Sequence, residues 1–156
     1  MTYHGRCHCG RVKFTVEGRL RRVTDCNCSI CTMKGYLHWI VPRSTFRLRT
    51  PKAALATYTF NTGVAKHHFC PTCGIAAFYI PRSDPDKVDV NARCLDGVEV
   101  GRLQIDRFDG REWEAAYARY AAAPKRRAHS TPGSLSSRAR KKAGDKLRVS
   151  HKFKKE

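Results

Sequence analysis

The sequence predicts a mainly β domain over residues 1–123 that contains one late helix, followed by a disordered basic tail over residues 124–156. Short segments in which apolar and polar residues alternate recur along most of the domain, and turn residues separate them. Helical spacing begins only at Asp109. Beyond Pro124 apolar residues become sparse and Ser, Pro, Gly, Lys and Arg predominate, so that segment cannot bury enough surface to offset its ordering entropy.

The predicted strands are short, and each has a local signal. Alternation is clearest in Val12–Val16, and Pro42 marks the end of the strand that begins at Tyr36. Two segments flank Asn61-Thr62-Gly63, a turn sequence that predicts a β-hairpin. In order, the predicted strands are Val12–Val16, Tyr36–Val41, Phe46–Leu48, Thr57–Phe60, Ala65–Phe69, Ile75–Ile80, Val88–Cys94 and a last one around Leu103 and Ile105.

The predicted helix follows the last strand. Asp109 and Glu112 have the spacing of a capping box, which would start the helix and satisfy two of its free N–H groups. Trp113, Tyr117 and Tyr120 then fall on one helical face, and Pro124 ends the segment.

The formal net charge is +18, and the tail carries more than half of it. Residues 124–156 contain 12 Lys/Arg against two acidic residues, a net of +10, which leaves +8 for residues 1–123. Such a tail, poor in aromatic residues, predicts non-specific electrostatic contact with nucleic acid rather than base stacking. The sequence shows neither an apolar signal core nor an apolar run long enough to span a membrane, so we expect a cytoplasmic protein without a membrane partner.

Three cysteines, Cys26, Cys28 and Cys31, lie within six residues at Cys-x-Cys-x-x-Cys spacing. In a reducing compartment such clustering indicates metal rather than disulfides, and neighbouring cysteines would close strained rings. Zinc prefers four ligands, so three cysteines leave one position open, as in catalytic zinc sites. The alternative is a buried or disulfide-bonded cluster.

Two further cysteine pairs each lie in a turn that a glycine follows. Cys7 and Cys9 precede Gly10, and the Cys-x-x-Cys-Gly sequence at Cys70 and Cys73 lies between two predicted strands. Together the two pairs would complete a closed tetrahedral zinc site. Spacing alone leaves other partitions open, for example one in which Cys94 completes the set of three, although we favour simple burial of Cys94.

The cysteine motifs carry a family resemblance over about residues 3–120. The pattern resembles the glutathione-dependent formaldehyde-activating enzymes, a family that also includes centromere protein V. This resemblance implies a β-tent fold with two zinc ions: a structural zinc on Cys7, Cys9, Cys70 and Cys73 and a catalytic zinc on Cys26, Cys28 and Cys31. It also implies the adduct of glutathione with formaldehyde as the founding substrate. The motifs that carry it are Arg6-Cys7-His8-Cys9-Gly10, Cys26-Asn27-Cys28-Ser29-Ile30-Cys31, Lys34-Gly35, His68-Phe69-Cys70-Pro71-Thr72-Cys73-Gly74 and Asn91-Ala92-Arg93-Cys94-Leu95-Asp96.

The function we predict is that of a zinc-dependent carbon–sulfur lyase resembling S-(hydroxymethyl)glutathione synthase, which binds a small thiol and handles its aldehyde adduct. One alternative is a zinc-stabilised binding module whose basic tail contacts nucleic acid, without catalysis. Another is a closed double-zinc structural domain. The sequence leaves the true thiol, the direction of reaction and the oligomeric state open.

Five weaker candidates lie near the cysteine motifs. Arg93 and Asp96 have the charges to hold a substrate carboxylate and ammonium, or to form structural ion pairs. Lys34 has the charge to attract an anionic thiol, or is simply solvated. In the dipeptide His67-His68 the side chains of a strand point to opposite faces, so at most one reaches any site, and we expect neither to be a metal ligand.

Overall fold

In the computed structural model, which describes residues 1–122, the chain forms ten β-strands and two α-helices. The mainly β prediction, with a helix late in the sequence, is confirmed. The predicted boundary at residue 123, the predicted disorder of residues 124–156 and their predicted contact with nucleic acid lie outside the described residues. Within residues 1–122 no helix is both long and apolar enough to cross a membrane. The elements are β1 (Thr2–Arg6), β2 (Lys13–Glu17), β3 (Arg22–Cys26), α1 (Ser29–Lys34), β4 (Leu37–Pro42), β5 (Phe46–Leu48), β6 (Ala56–Tyr58), β7 (Lys66–Phe69), β8 (Phe78–Ile80), β9 (Lys87–Asn91), β10 (Gln104–Phe108) and α2 (Trp113–Ala122).

The described strands form two sheets. The smaller sheet has the order β1-β2-β5, and the larger has the order β10-β3-β4-β9-β8-β7-β6. Every pairing is antiparallel except that of β10 with β3, which is parallel, with Phe108 opposite Cys26. Because β10 ends beside the end of β3, the residues that follow β10 are brought next to the cysteine motif that follows β3.

The core joins the inner faces of the two sheets. Phe14 of β2 is almost fully buried and packs against Phe46 and Phe78, with ring centroids 5.2 and 5.8 Å away. Val16 and Val90 are also fully buried. The alternation read in Val12–Val16 therefore does point one face into the core, and burial of these side chains stabilises the fold by about 1.5–3 kcal/mol each.

Several element boundaries differ from the predictions. The predicted strand over Val88–Cys94 ends at Asn91, whose side-chain oxygen accepts a hydrogen bond from the Arg93 N–H, so Ala92–Cys94 turn into a 3₁₀ helix. The predicted strand over Ile75–Ile80 begins only at Phe78, because the backbone of Ile75 closes the preceding cysteine turn. The hairpin is present, with Tyr58 opposite His67.

The predicted capping box is wrong. The Asp109 side chain makes no capping hydrogen bond, Gly110–Glu112 form a 3₁₀ turn, and α2 begins at Trp113. Asp109 Oδ1 instead accepts a hydrogen bond from Asn27 Nδ2 at 2.9 Å, and Asn27 Oδ1 accepts one from the Arg111 N–H at 3.1 Å. The carboxylate that would have capped the helix thus fastens this loop to the cysteine motif.

Candidate metal centres and active-site cavity

Two matching turns build a four-sulfur cluster. The Cys7 N–H donates to the Val12 carbonyl at 3.0 Å, and the Cys70 N–H donates to the Ile75 carbonyl at 3.1 Å. Gly10 and Gly74 follow the second cysteine of each turn with φ of +76° and +73°, a conformation that glycine adopts without strain. The two turns place Cys7, Cys9, Cys70 and Cys73 with all four sulfur atoms within 4.8 Å of one another.

The geometry of this cluster fits a tetrahedral metal. The Sγ atoms of Cys7 and Cys9 are 3.6 Å apart, as are those of Cys9 and Cys70. Four sulfurs at the usual zinc distance stand about 3.7 Å apart at tetrahedral angles. The Val12 N–H donates to Cys7 Sγ at 3.2 Å, and the N–H groups of Cys9 and Ile75 lower the pKa of Cys73 to about 6. Backbone donors therefore favour the thiolate form of Cys73, the form that binds metal, whereas at Cys9 a backbone N–H is outweighed by burial and the neighbouring thiols, which raise the pKa of Cys9 to about 11.

The second cluster contains three sulfurs. Cys26 ends β3, Cys28 precedes α1 and Cys31 lies in α1, so the short helix folds the third thiol back over the first two. The three Sγ atoms lie within 4.8 Å of one another, and Cys26 and Cys31 are each 8% exposed. Hydrogen bonds from Cys26 and Cys31 lower the pKa of Cys28 to about 2, while hydrogen bonds with Cys26 and Cys28, together with burial, raise the pKa of Cys31. Three crowded thiols cannot all ionise without a cation, so this donor set also fits a metal.

Cys94 lies apart from the three-sulfur cluster. Its thiol is not among the sulfurs that come within 4.8 Å of one another there. Burial, together with the nearby thiols of Cys7 and Cys73, raises the pKa of Cys94 to about 11, and the side chain packs against the core. It is therefore a partly buried thiol on the side of the four-sulfur cluster.

The three-sulfur cluster opens on a cavity of about 550 Å³, whereas none of the four cysteines of the other cluster lines it. Phe60 and His67 come from the β6–β7 hairpin, and Trp113 and Tyr120 come from α2. Phe60, His67 and Tyr79 form a stack, with the rings of His67 and Tyr79 nearly parallel and 4.8 Å apart. Aromatic side chains therefore line the cavity from two elements.

Three arginines line the same cavity. Arg82 pairs with Glu114 at 2.9 Å and lies over the Trp113 ring, with its guanidinium carbon 3.8 Å from the centroid. Arg107 pairs with Asp25, and within residues 1–122 Arg111 has no carboxylate within 4.0 Å. Asp89 and Asp106 also line the cavity, so the positive charge that a ligand carboxylate could meet there lies mainly at Arg111.

A buried histidine and carboxylate also line the cavity. His38 Nδ1 is 2.8 Å from Asp89 Oδ2, and the two side chains are 7% and 1% exposed. The Tyr36 hydroxyl donates to the Asp89 carbonyl at 2.8 Å, which fixes the strand that carries the carboxylate. Burial lowers the pKa of His38, but the charge of Asp89 and its hydrogen bond outweigh that effect, so the pKa is raised overall.

The weaker sequence candidates lie elsewhere. Arg93 Nε donates to the Gly35 carbonyl at 3.0 Å, Asp96 pairs with Arg6 at 3.2 Å, and neither they nor Lys34 line the cavity. Arg93 and Asp96 therefore make structural contacts. Of the two adjacent histidines, His67 lines the cavity and His68 instead contacts the Thr57 hydroxyl at 2.9 Å, and neither joins a sulfur cluster.

Sequence reasoning missed His38, Asp89, Gly110 and the three arginines. One signal was available: Asp89 stands between Val88 and Val90 in an apolar strand, and a buried carboxylate needs a partner. The partner lies across the sheet, where His38 is opposite Asn91, so that His38 and Asp89 are diagonal neighbours on one face. Gly110 carries no such signal, because its role depends on the parallel pairing of β10 with β3.

Residues 2–108 match the family described as glutathione-dependent formaldehyde-activating enzyme, which is more than half of the chain. The chain belongs to this family. Its matched segment contains both sulfur clusters, the His38–Asp89 pair and Arg107, whereas Gly110, Arg111 and the helix with Trp113 lie beyond it.

A solved structure has a similar fold. A crystal structure of a Rhodobacter sphaeroides protein is similar to this family member with a TM-score of 0.60 and 34% sequence identity. The similarity covers 68% of this chain and 100% of the Rhodobacter chain. The segment that the two proteins share is therefore of domain size.

Proposed function

We propose that this protein is a zinc-dependent carbon–sulfur lyase that adds a small thiol to an aldehyde and cleaves the adduct, with glutathione and formaldehyde as the pair that the family description names. The observation that carries the proposal is the difference between the two clusters in the number of sulfurs and in their position relative to the cavity. Four sulfurs complete one tetrahedral set, whereas the three of Cys26, Cys28 and Cys31 adjoin a cavity of about 550 Å³. A set of three ligands beside a cavity is the usual arrangement of a catalytic zinc site.

In this proposal Cys7, Cys9, Cys70 and Cys73 hold a structural zinc, and Cys26, Cys28 and Cys31 hold the second. A zinc ion held by these three cysteines would leave a fourth position for a thiol, and there it would lower the pKa of the thiol and so favour the thiolate form. A structural zinc on the first set joins β1 to β7 across 61 residues of sequence between Cys9 and Cys70. The abundance of free thiols suits a reducing compartment such as the cytoplasm.

The cavity residues bind and orient the thiol substrate. Glutathione carries net negative charge, and the guanidinium group of Arg111, which lines the cavity and has no carboxylate within 4.0 Å among residues 1–122, favours its approach and holds one of its carboxylates. Aromatic side chains from the hairpin and from α2 exclude water from the place where the two reactants meet. Holding thiol and aldehyde together supplies much of the rate of such an addition.

The test is thiol binding to the cobalt-loaded full chain. Titration with glutathione should increase the sulfur-to-cobalt charge-transfer absorption, because a fourth sulfur joins the cluster of three. S-methylglutathione has the same charges but no ionisable thiol, and it should leave the spectrum unchanged. A spectrum that does not respond to glutathione, with two metal ions bound, would contradict the proposal and favour a closed double-zinc domain.

A further inference from the structure

The stability of the sheet does not explain why the His38–Asp89 pair is present. Both side chains are titratable and almost fully buried, whereas most other buried residues among residues 1–122 are apolar, with His67 and Asn91 as further polar ones. Burying such a pair costs solvation that its mutual attraction only partly repays, and apolar residues of similar volume usually serve stability as well or better. A buried pair of this kind that lines a cavity is therefore a candidate for chemistry.

The hydrogen bonding of the pair defines which nitrogen is available. Because the Asp89 carboxylate accepts, His38 Nδ1 carries the proton that joins them at 2.8 Å. In the neutral ring Nε2 then has a free lone pair. Nε2 is buried and has no hydrogen-bond partner among residues 1–122. Since buried polar atoms are nearly always paired, the partner of Nε2 is expected to be a molecule in the cavity.

The position of His38 relative to the sulfurs shows whether it is a metal ligand or a group that acts on the substrate. Neither ring nitrogen lies within 4.8 Å of all three sulfur atoms of Cys26, Cys28 and Cys31. A nitrogen in the same tetrahedral set would stand about 3.5 Å from each sulfur. His38 therefore adjoins the three-sulfur cluster across the shared cavity without completing it, which is the place of a group that meets the substrate.

We propose that His38 is the general acid–base of this site and that Asp89 positions it; this role rests on the proposed lyase function. Nε2 accepts the proton that the thiol gives up as it ionises, and the resulting thiolate sulfur bonds to the carbonyl carbon. The carbonyl π bond breaks, its electron pair moves to oxygen, and Nε2 returns the proton there to give the hydroxyl of the S-hydroxyalkyl adduct. In the cleavage direction Nε2 takes the hydroxyl proton, the carbonyl re-forms as the carbon–sulfur bond breaks, and Nε2 returns the proton to the departing sulfur. No oxidant or reductant is consumed.

Asp89 acts through His38. Its carboxylate holds the proton on Nδ1, which keeps the lone pair on Nε2, and it stabilises the imidazolium that forms when Nε2 accepts a proton. The Tyr79 hydroxyl, 3.5 Å from His38 Nδ1, packs beside the pair. Tyr79 and Tyr36 contact the His38 ring edge-on and at a tilt, so the ring orientation is set by packing as well as by the carboxylate.

The test compares zinc-loaded full-length variants by NMR exchange between free thiol and adduct, with glutathione and formaldehyde. His38→Gln should lower kcat about 100-fold with little change in KM for the thiol. His68→Gln is the matched control: its side chain contacts Thr57 outside the cavity, and we expect the wild-type rate. His38→Ala should be equally slow and should recover when imidazole is added. A slow His38→Ala that imidazole does not rescue would make this histidine structural and overturn the proposal.

Two measurements do not depend on turnover. His38→Gln should still bind two metal ions, with the ¹¹³Cd resonances of the cadmium form unshifted; loss of one metal would make Nε2 a ligand and overturn the proposal. In ¹⁵N spectra of the wild-type zinc form, Nε2 should be unprotonated in the neutral ring, and Asp89→Asn should change that tautomer. If the wild type is active and His38→Gln is equally active, the proposed role of His38 is wrong while the proposed function stands. A wild type that neither binds nor turns over glutathione would overturn the proposed function and this role with it.

Discussion

Gly110 lies so close to Cys26 that a Cβ atom on the glycine would stand 2.4 Å from the cysteine Sγ. The same Cβ would stand 2.8 Å from the Cβ of Cys28. Real Cβ atoms essentially never approach other atoms so closely, so a side chain here would displace two of the three clustered cysteines. The contact exists because β10 runs parallel to β3 and delivers the loop at Gly110 onto the end of β3. A residue far from the cysteine motif in sequence thus shapes the cluster.

Gly110→Ala is therefore expected to weaken metal binding by the three-sulfur cluster at least 10-fold while the four-sulfur cluster keeps its metal. The fold should survive, since the loop can shift outward. Competition with a chromogenic chelator measures the two affinities separately. Gly101→Ala is the control, because a Cβ there meets nothing within 4 Å. If Gly110→Ala binds two zinc ions as tightly as Gly101→Ala does, the packing argument is wrong.

Cys73→Ser should lose the fold, whereas Cys28→Ser should keep it and lose one metal ion. Structural zinc contributes about 10 kcal/mol or more to folding, comparable with the whole stability of a small domain. The four-sulfur cluster joins two distant turns, but the three sulfurs of the other cluster all come from Cys26–Cys31. Elemental analysis and circular dichroism report metal content and structure. Equal loss of structure in the two variants would refute the division of roles.

Cys94→Ala is expected to leave both metal ions in place and to destabilise the fold by about 1 kcal/mol. The reason for the small effect is that the thiol packs against the core as a small apolar group and lies outside the three-sulfur cluster. Urea denaturation and metal content measure the two effects. A loss of one metal ion would show that Cys94 is a ligand after all.

The sequence was sufficient to predict the fold class and the clustered thiols, because the signals for both are local. The cysteine spacing in Cys26–Cys31, the two glycine-following pairs and the alternation of Val12–Val16 are each contained within a few residues, and the structure brings the expected thiols together. The mainly β class followed from the same short-range patterns. Strand ends were less accurate, because side chains such as that of Asn91 bind nearby backbone groups and end a strand early.

What the sequence could not show depends on pairings between distant segments. Nothing local indicates that β10 pairs in parallel with β3, so neither the contact of Gly110 with Cys26 nor the place of Arg107 and Arg111 beside the cavity was foreseen. The His38–Asp89 pair likewise requires the register of β4 against β9. The spacing of Asp109 and Glu112 predicts a helix cap, but the Asp109 carboxylate binds Asn27 instead.

Arg111→Gln should weaken glutathione binding about three- to fivefold, with KM affected more than kcat. Arg82 and Arg107 are already paired with carboxylates, whereas Arg111 has none within 4.0 Å among residues 1–122, so its charge is available to a ligand. One partly exposed charge contributes about 1 kcal/mol or less, which sets the size of the effect. Calorimetric titration of the metal-loaded chain measures it, and the difference between variant and wild type should shrink as salt rises.

Two controls make the Arg111 result specific to charge at the cavity. Arg102→Gln removes an arginine that pairs with Glu99 at 2.7 Å and does not line the cavity, so glutathione affinity should stay at the wild-type value. Cysteamine is a thiol without a carboxylate, and its affinity should be the same in Arg111→Gln and in wild type. Equal weakening by Arg102→Gln would point to long-range attraction by the net charge of the domain. A loss of cysteamine affinity in Arg111→Gln would mean that the substitution disturbs the three-sulfur cluster itself, through the backbone N–H that Arg111 donates to Asn27.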